Sequence, residues 1–365
     1  MPQFSRILIV VLLISLLVSA CAGGPGIASS WPGLTVRGEV GYLAYANHVY
    51  AINLSNGTEV WRFPQKSDAK LSFYAAPVFT EEGHLIIAGY DHSLHSLNPD
   101  TGMENQGSWP FQQAQNKFIA SPLATPDGIY APCSDGKLYA LDIKGGLRWT
   151  FSTEHAQWAT PVIGGDVLYL TSMDHRVYAL SVKDGALIWK SEDLGGALAG
   201  SPTLSPDGVI YVGTFNNELV ALDAKTGKVV KRYTTQGWVW SGPALIDNVL
   251  YFGDLDGAMY ALRAPDLTEI WKAQPDKGAD RQIADRPLVH DGKVYFGARS
   301  GNLYALDAET GALAWEKPIA IQGSFYASPV ALEDTLIIPM VTKDAILMAI
   351  DFNGAQKWPP FVPAK

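Results

Sequence analysis

The chain has 365 residues, 47% of them apolar and 17% charged, with 35 glycines and 23 prolines. This is the profile of a large folded body dense in turns, not of a disordered or fibrous chain. The formal charge is −9 and no cluster of Lys and Arg stands out against it, which argues against a nucleic-acid backbone as partner.

Residues 1–20 read as a targeting segment. After Arg6, the run from Ile7 to Val18 is apolar and uncharged but only twelve residues long, short of the roughly 20 that a membrane-spanning helix needs and right for a secretory signal. Val18-Ser19-Ala20-Cys21 follows and resembles the bacterial lipoprotein box. That resemblance implies cleavage before Cys21, lipidation of its thiol and a membrane anchor through that lipid. Cleavage removes Arg6 and no acid, so the mature charge becomes −10. Residues 21–30, rich in Gly, Ala and Ser, are expected to form a flexible tether, and residues 31–365 a single domain. Cys133 is then the only other cysteine. Alone it excludes an intrachain disulfide framework, a CxxC redox pair and a four-cysteine zinc site, and it is expected to pack as a small apolar residue.

From Pro32 onward the chain repeats itself. Prolines following small residues stand at Pro32, Pro77, Pro122, Pro161, Pro202, Pro243, Pro287 and Pro329, spaced by 39 to 45 residues. A second landmark lies seventeen to nineteen residues on, at Tyr50, His95, Tyr139, Tyr178, Val220, Tyr260, Tyr304 and Met348. A third is a closing tryptophan at Trp61, Trp109, Trp149, Trp189, Trp271, Trp315 and Trp358, absent only from the fifth unit. Such a period marks stacked supersecondary units.

The seventh unit shows the local logic. Leu288 to His290, KVYFGA, NLYALD and ALAWE read as four short strands, separated by Asp291-Gly292, Ser300-Gly301 and the stretch from Ala308 to Gly311. Glycine and asparagine chemistry of this kind is what tight hairpins demand. The central strands are apolar on both faces, as expected if every sheet lies between two neighbours. Four-stranded antiparallel sheets stacked around an axis make an all-β propeller, and eight units predict eight blades, with seven blades and irregular ends as the alternative.

The period is also that of WD40 repeats, but their G-H and W-D signatures are absent. The units resemble instead the quinoprotein-type (PQQ-like) repeat, whose pattern of VYxG, a turn, LYALD, TG and W is met by Tyr211 to Gly227 and by Val294 to Trp315. The resemblance implies one of two branches. In the quinone-dependent alcohol and sugar dehydrogenases, pyrroloquinoline quinone and usually Ca²⁺ sit in the central funnel, and the alcohol enzymes carry a vicinal cysteine pair against the cofactor. This chain has no Cys-Cys pair and near-minimal units. The other branch is non-enzymatic and includes the lipoprotein subunit of the outer-membrane β-barrel assembly machinery. Lipobox, size and repeat count resemble that branch, implying no cofactor, an envelope protein partner and an extracytoplasmic location: the periplasmic face of an outer membrane where there is one, otherwise the cell surface. Ala22 after the lipidated cysteine, rather than aspartate, favours the outer membrane.

Candidate site residues are few. Asn47, Asp91, Asp135, Asp174, Asn216 and Asp256 fall at the hairpin between second and third strands in the first six units and are expected to serve the turn, not a metal. His92 and His95 are placed on opposite faces of a strand and share no ion, with His95 filling a tyrosine position. His48 and His175 are turn residues, and His84, His155 and His290 are isolated, so no catalytic triad or metal site is indicated. The seven closing tryptophans are expected to pack blade against blade. Trp31, Trp158, Trp238 and Trp240 break the period. Together with Tyr74, Arg281, Asp285, Arg286 and Tyr326, the last three of these tryptophans fall where connections enter the units, and they are the candidate funnel residues. The competing reading has the aromatics plug the channel and Asp285 pair with Arg286. The longest connections, PQKSDAKLSF and QPDKGADRQI, are where a scaffold would present itself. The alternatives are a quinone-binding enzyme or a small-ligand or glycan-binding propeller.

Overall fold

The computed structural model describes residues 32–364. Cys21, the leader, the tether and Trp31 lie outside the described residues.

Eight antiparallel blade sheets follow one another along the chain, and a ninth, two-stranded sheet pairs Gly323–Ser324 with Val341–Thr342. Blade 4 is representative, with strands Val162–Gly164, Val167–Thr171, Val177–Ser181 and Leu187–Lys190 paired in sequence order. Its second strand is the apolar VLYLT and its third the apolar VYALS, each with four of five residues buried. Alternation sends successive side chains to opposite blades. In blade 7, Leu303 and Ala305 pack toward blade 8 while Tyr304 and Leu306 pack toward blade 6.

Eight apolar clusters fill the joints between consecutive blades, one of them joining blade 8 to blade 1 through Ile337, Leu347 and Trp358 on Leu43, Tyr50 and Ile52. The ring is therefore an eight-bladed propeller, and the seven-bladed alternative falls. No strand is exchanged to close it, because blades 1 and 8 each supply their own four strands.

Two blades depart from the regular pattern. Blade 2 has three named strands, and bridges from Leu94 to Phe111 and Leu97 to Glu104 stand for its outer strand. In blade 7 the expected ALAWE strand is reduced to a bridge between Leu306 and Leu313, followed by Ile319–Ala320. Pro110 and Pro318 lie in these segments, and proline offers no N–H to a ladder.

The closing tryptophans make the joints. The indole N–H donates to a carbonyl of the next blade from Trp61 to Pro99 (2.8 Å), Trp149 to Val182 (3.3 Å), Trp189 to Ala224 (3.0 Å), Trp271 to Ala308 (2.8 Å), Trp315 to Phe352 (3.0 Å) and Trp358 to Leu54 (2.9 Å). Trp109 packs on Gly145. Six of the seven rings lie against a glycine of the next blade in a left-handed conformation; a Cβ on Gly227 (φ +69) would stand 2.4 Å from the Trp189 ring. In blade 5, Lys231 occupies the tryptophan register, opposite Ala221 as Trp189 is opposite Ala179. In blade 6 the facing position is Leu267, which keeps the left-handed turn (φ +56) and is buried.

Antiparallel order fixes which loops share an end. With four strands per blade, the connection to the next blade and the hairpin between second and third strands lie at one end, the linker end. The other two hairpins, and the tryptophan joints, lie at the opposite end.

Candidate functional site

First strands of neighbouring blades touch one another, so they surround the axis, and the residues just ahead of them meet in a central cavity of about 290 Å³. The aromatics there follow a rule. The third residue before the proline is Tyr74, Trp158, Trp240 and Tyr326 in blades 2, 4, 6 and 8, but Ile119, Ala199 and Ala284 in blades 3, 5 and 7. Aromatic and aliphatic residues thus alternate along the chain at this position from blade 2 to blade 8.

The structure brings Tyr74, Trp158, Asp285 and Tyr326 onto the cavity wall. Trp238 and Trp240 are placed elsewhere, on Phe215: Trp238 stacks at 4.9 Å and 8°, Trp240 lies at 5.1 Å and 31°, and Trp238 remains 48% exposed. Arg281 closes over the neighbouring hairpin, donating to the carbonyls of Asp256 and Gly278. Asp285 and Arg286 do not form an ion pair. The backbone N–H of Arg286 donates to Asp285 Oδ1 at 2.8 Å, while Oδ2 is shielded from solvent without a partner among the described residues. Burial pushes the Asp285 carboxyl up to about 7, opposed by that N–H, by the nearby Ser328 hydroxyl and by the Arg286 charge. The Arg286 side chain is exposed, and its carbonyl accepts the hydroxyl of cavity-lining Ser328 at 2.8 Å.

Further groups at this end had no signal in the sequence, because Tyr90 and Arg299 sit in hairpins and Lys117 in the connection from blade 2 to blade 3. Tyr90 lies on Tyr74 at 4.2 Å, and the Lys117 ammonium stands over Tyr90 at 4.7 Å. The Arg299 guanidinium stands over Tyr326 at 5.4 Å.

The hairpin acids are turned inward. Tyr139 donates to Asp135 at 2.6 Å, Tyr178 to Asp174 at 2.7 Å and Tyr260 to Asp254 at 2.7 Å. In blade 6 the structural acid is therefore Asp254; Asp256, the residue expected from the sequence, only supplies backbone. His95 takes the tyrosine's place in blade 2, packed on Phe63 and Phe73 and held between Glu104 (2.6 Å) and Asp91 (3.2 Å). Burial alone lowers its pKa, but the two carboxylates outweigh this and raise it to about 9. His92 is not on that strand; it turns the hairpin at φ +66. Of the two long connections, residues 65–70 are exposed and pinned by Asn47 to the carbonyls of Asp68 and Leu71, whereas the second buries Asp276 against Ser300 and Asn302.

A family model described as outer membrane protein assembly factor BamB matches residues 24–173 and 173–356. The crystal structure of BamB from Moraxella catarrhalis superposes with a TM-score of 0.70 at 16% identity, over 84% of this chain and 92% of that one. The computationally designed Ika8 protein superposes with a TM-score of 0.73 at 15% identity, over 88% and 96%. Shorter stretches are 35% identical over 104 residues to a quinoprotein ethanol dehydrogenase of Pseudomonas aeruginosa and 32% identical over 128 residues to the quinohemoprotein alcohol dehydrogenase ADH IIB of Pseudomonas putida. These cover 26% and 30% of this chain and only 17% and 18% of the enzymes.

Proposed function

The chain belongs to the family of the outer membrane assembly factor BamB, and from that premise we propose that it is a non-catalytic scaffold that binds a protein partner at the linker end of its propeller in the bacterial envelope. Its location is extracytoplasmic, on a lipid carried by Cys21, and at an outer membrane where the cell has one.

The observation that carries the reading is the family match across both halves of the ring, combined with a funnel poor in reactive groups. Among the described residues, Asp285 is the one carboxylate on the cavity wall. Among the described residues no three His, Cys, Asp or Glu side chains converge as a metal ion requires. Cys133, the single described cysteine, is buried with its Sγ 3.2 Å from the carbonyl of Asn116. These residues do not fit a calcium-held quinone. His95, the most perturbed histidine, is consumed by two carboxylates and has no nucleophile among its hydrogen-bond partners.

The test is a cross-linked pull-down of the lipidated protein from gently solubilised envelopes, with mass spectrometry of the captured proteins and an absorbance scan. Recovery of barrel-assembly components supports the scaffold. A quinone-like chromophore without a stoichiometric protein partner overturns it.

A further inference from the structure

The wall of the central cavity carries charge of one sign. Asp285 lines it, and among the described residues no Lys, Arg or His does. Arg286 follows Asp285 in sequence, but its side chain is exposed and is not part of the wall. Arg299 and Lys117, over Tyr326 and Tyr90, also stand outside the lining.

The Asp285 carboxylate is under-used. Such a group has about four acceptor positions. The Arg286 backbone N–H takes one of them at Oδ1, while Oδ2 is shielded from solvent with no partner among the described residues. The Ser328 hydroxyl spends its proton on the Arg286 carbonyl. A carboxylate buried with few donors is costly, and its raised pKa is the same imbalance seen from the proton's side. Trp158 carries the complementary group: its indole Nε1–H is likewise shielded and without a described partner. Tyr74 and Tyr326 complete an aromatic lining with Trp158.

These groups discriminate between ligand classes. An anion would meet a carboxylate and no cation on the wall. A metal ion would find no three ligands converging among the described residues. A guanidinium seeks both oxygens of a carboxylate at once, and Oδ1 is already engaged by the Arg286 N–H. A quaternary ammonium brings no donor. A primary ammonium brings three freely rotating donors, a positive charge for the aromatic rings and a slim aliphatic stem.

We propose that the central cavity is a binding site for a protonated primary amine, its ammonium on Asp285, its stem against Tyr74, Trp158 and Tyr326, and an acceptor on the same ligand at the Trp158 indole N–H. The volume, about 290 Å³, suits a small amino alcohol or one lysine side chain rather than a folded domain. The site rests on the cavity alone. A lysine of a protein partner as the source of the amine rests on the scaffold reading, and a free amine does not.

The test is isothermal titration calorimetry of the full chain with aminobutanol, against butanediol, which lacks only the charged group. Mildly alkaline pH keeps the carboxyl ionised and the amine protonated. The amine is expected to bind at least tenfold more tightly, as a charge-assisted hydrogen bond implies. Asp285→Asn keeps an acceptor for the Arg286 N–H and is expected to lose that preference at unchanged or raised Tm. Equal binding of the two ligands overturns the proposal, as does an unaffected Asp285→Asn variant. Tetramethylammonium binding as tightly as aminobutanol overturns it in favour of an aromatic cage alone. If the variant does not fold, the ligand comparison on the unaltered chain decides by itself. Two supporting outcomes separate the sources. Loss of both partner capture and amine binding in Asp285→Asn assigns the amine to a partner lysine, and lost amine binding with retained capture assigns it to a free amine. A pull-down without any partner, beside intact amine binding, removes the scaffold reading and leaves the cavity site standing.

Discussion

Trp358 donates its indole N–H to the carbonyl of Leu54 at 2.9 Å, across 304 residues of sequence. The contact has the geometry of Trp271 on Ala308 within the ring (2.8 Å), and a Cβ on Gly57 would stand 2.5 Å from the Trp358 ring. The seam of the propeller is thus the same joint as the others. Trp358→Ala and Trp271→Ala, buried to 6% and 7% exposure, should each cost about 3–5 kcal/mol in urea unfolding. A loss below about 1 kcal/mol for Trp358→Ala would mean that the ring is not held at this seam.

Lys231 and Leu267 form a compensated pair at the one joint without tryptophan. Lys231→Trp should destabilise by about 1–3 kcal/mol through overpacking against Leu267, and Leu267→Gly by about 2–4 kcal/mol through the cavity it leaves. The double variant rebuilds the Trp–Gly joint and should recover at least about 1 kcal/mol relative to additivity. Additive losses in a double-mutant cycle would show that the two positions do not share a joint.

His95 makes stability depend on pH. Its folded pKa of about 9 lies above the ordinary 6.5, so its contribution is complete below pH 6.5 and is lost as pH rises through 9. The expected loss is on the order of 2 kcal/mol, visible as a falling Tm between pH 6.5 and 9. His95→Tyr, which restores the side chain of the neighbouring blades, should flatten that slope. An unchanged slope would assign it to other groups.

Burial pushes the Cys133 thiol up to about 12, and the side chain is fully buried. Little thiolate forms near neutral pH, so a chain whose Cys21 is lipidated or removed should resist a thiol-specific disulfide reagent when folded and react in denaturant. Rapid labelling of the native protein would contradict its burial.

The repeat was legible because its landmarks are forced by geometry. A glycine in the left-handed region under a tryptophan, and an apolar third strand sandwiched on both faces, cannot vary much without breaking a joint. Even the exception at Lys231 left a mark, the missing glycine at 267, but that is readable only once the two registers are known to face one another. The candidate site was less legible. The −3 aromatics announce themselves by position, yet Trp238 and Trp240 fold onto Phe215, a residue no sequence period marks. Arg299 and Tyr90 come from hairpins of different blades and Lys117 from the connection between blades 2 and 3, and only closure of the ring makes them neighbours of the cavity. Asp285 and Arg286 are adjacent in sequence and look paired, but Arg286 meets Asp285 through its backbone N–H and not through its guanidinium.

An even strand count has a further effect on how this molecule can change over time. The joints that hold the ring sit at one end, and the mouth's cations and aromatics at the other. Exchanging Arg286, Arg299 or Trp238 touches none of the tryptophan, glycine and carbonyl contacts that close the circle. Side chains at that end can therefore change at nearly constant stability, whereas at the opposite end a change in a closing tryptophan calls for a change in the residue that faces it.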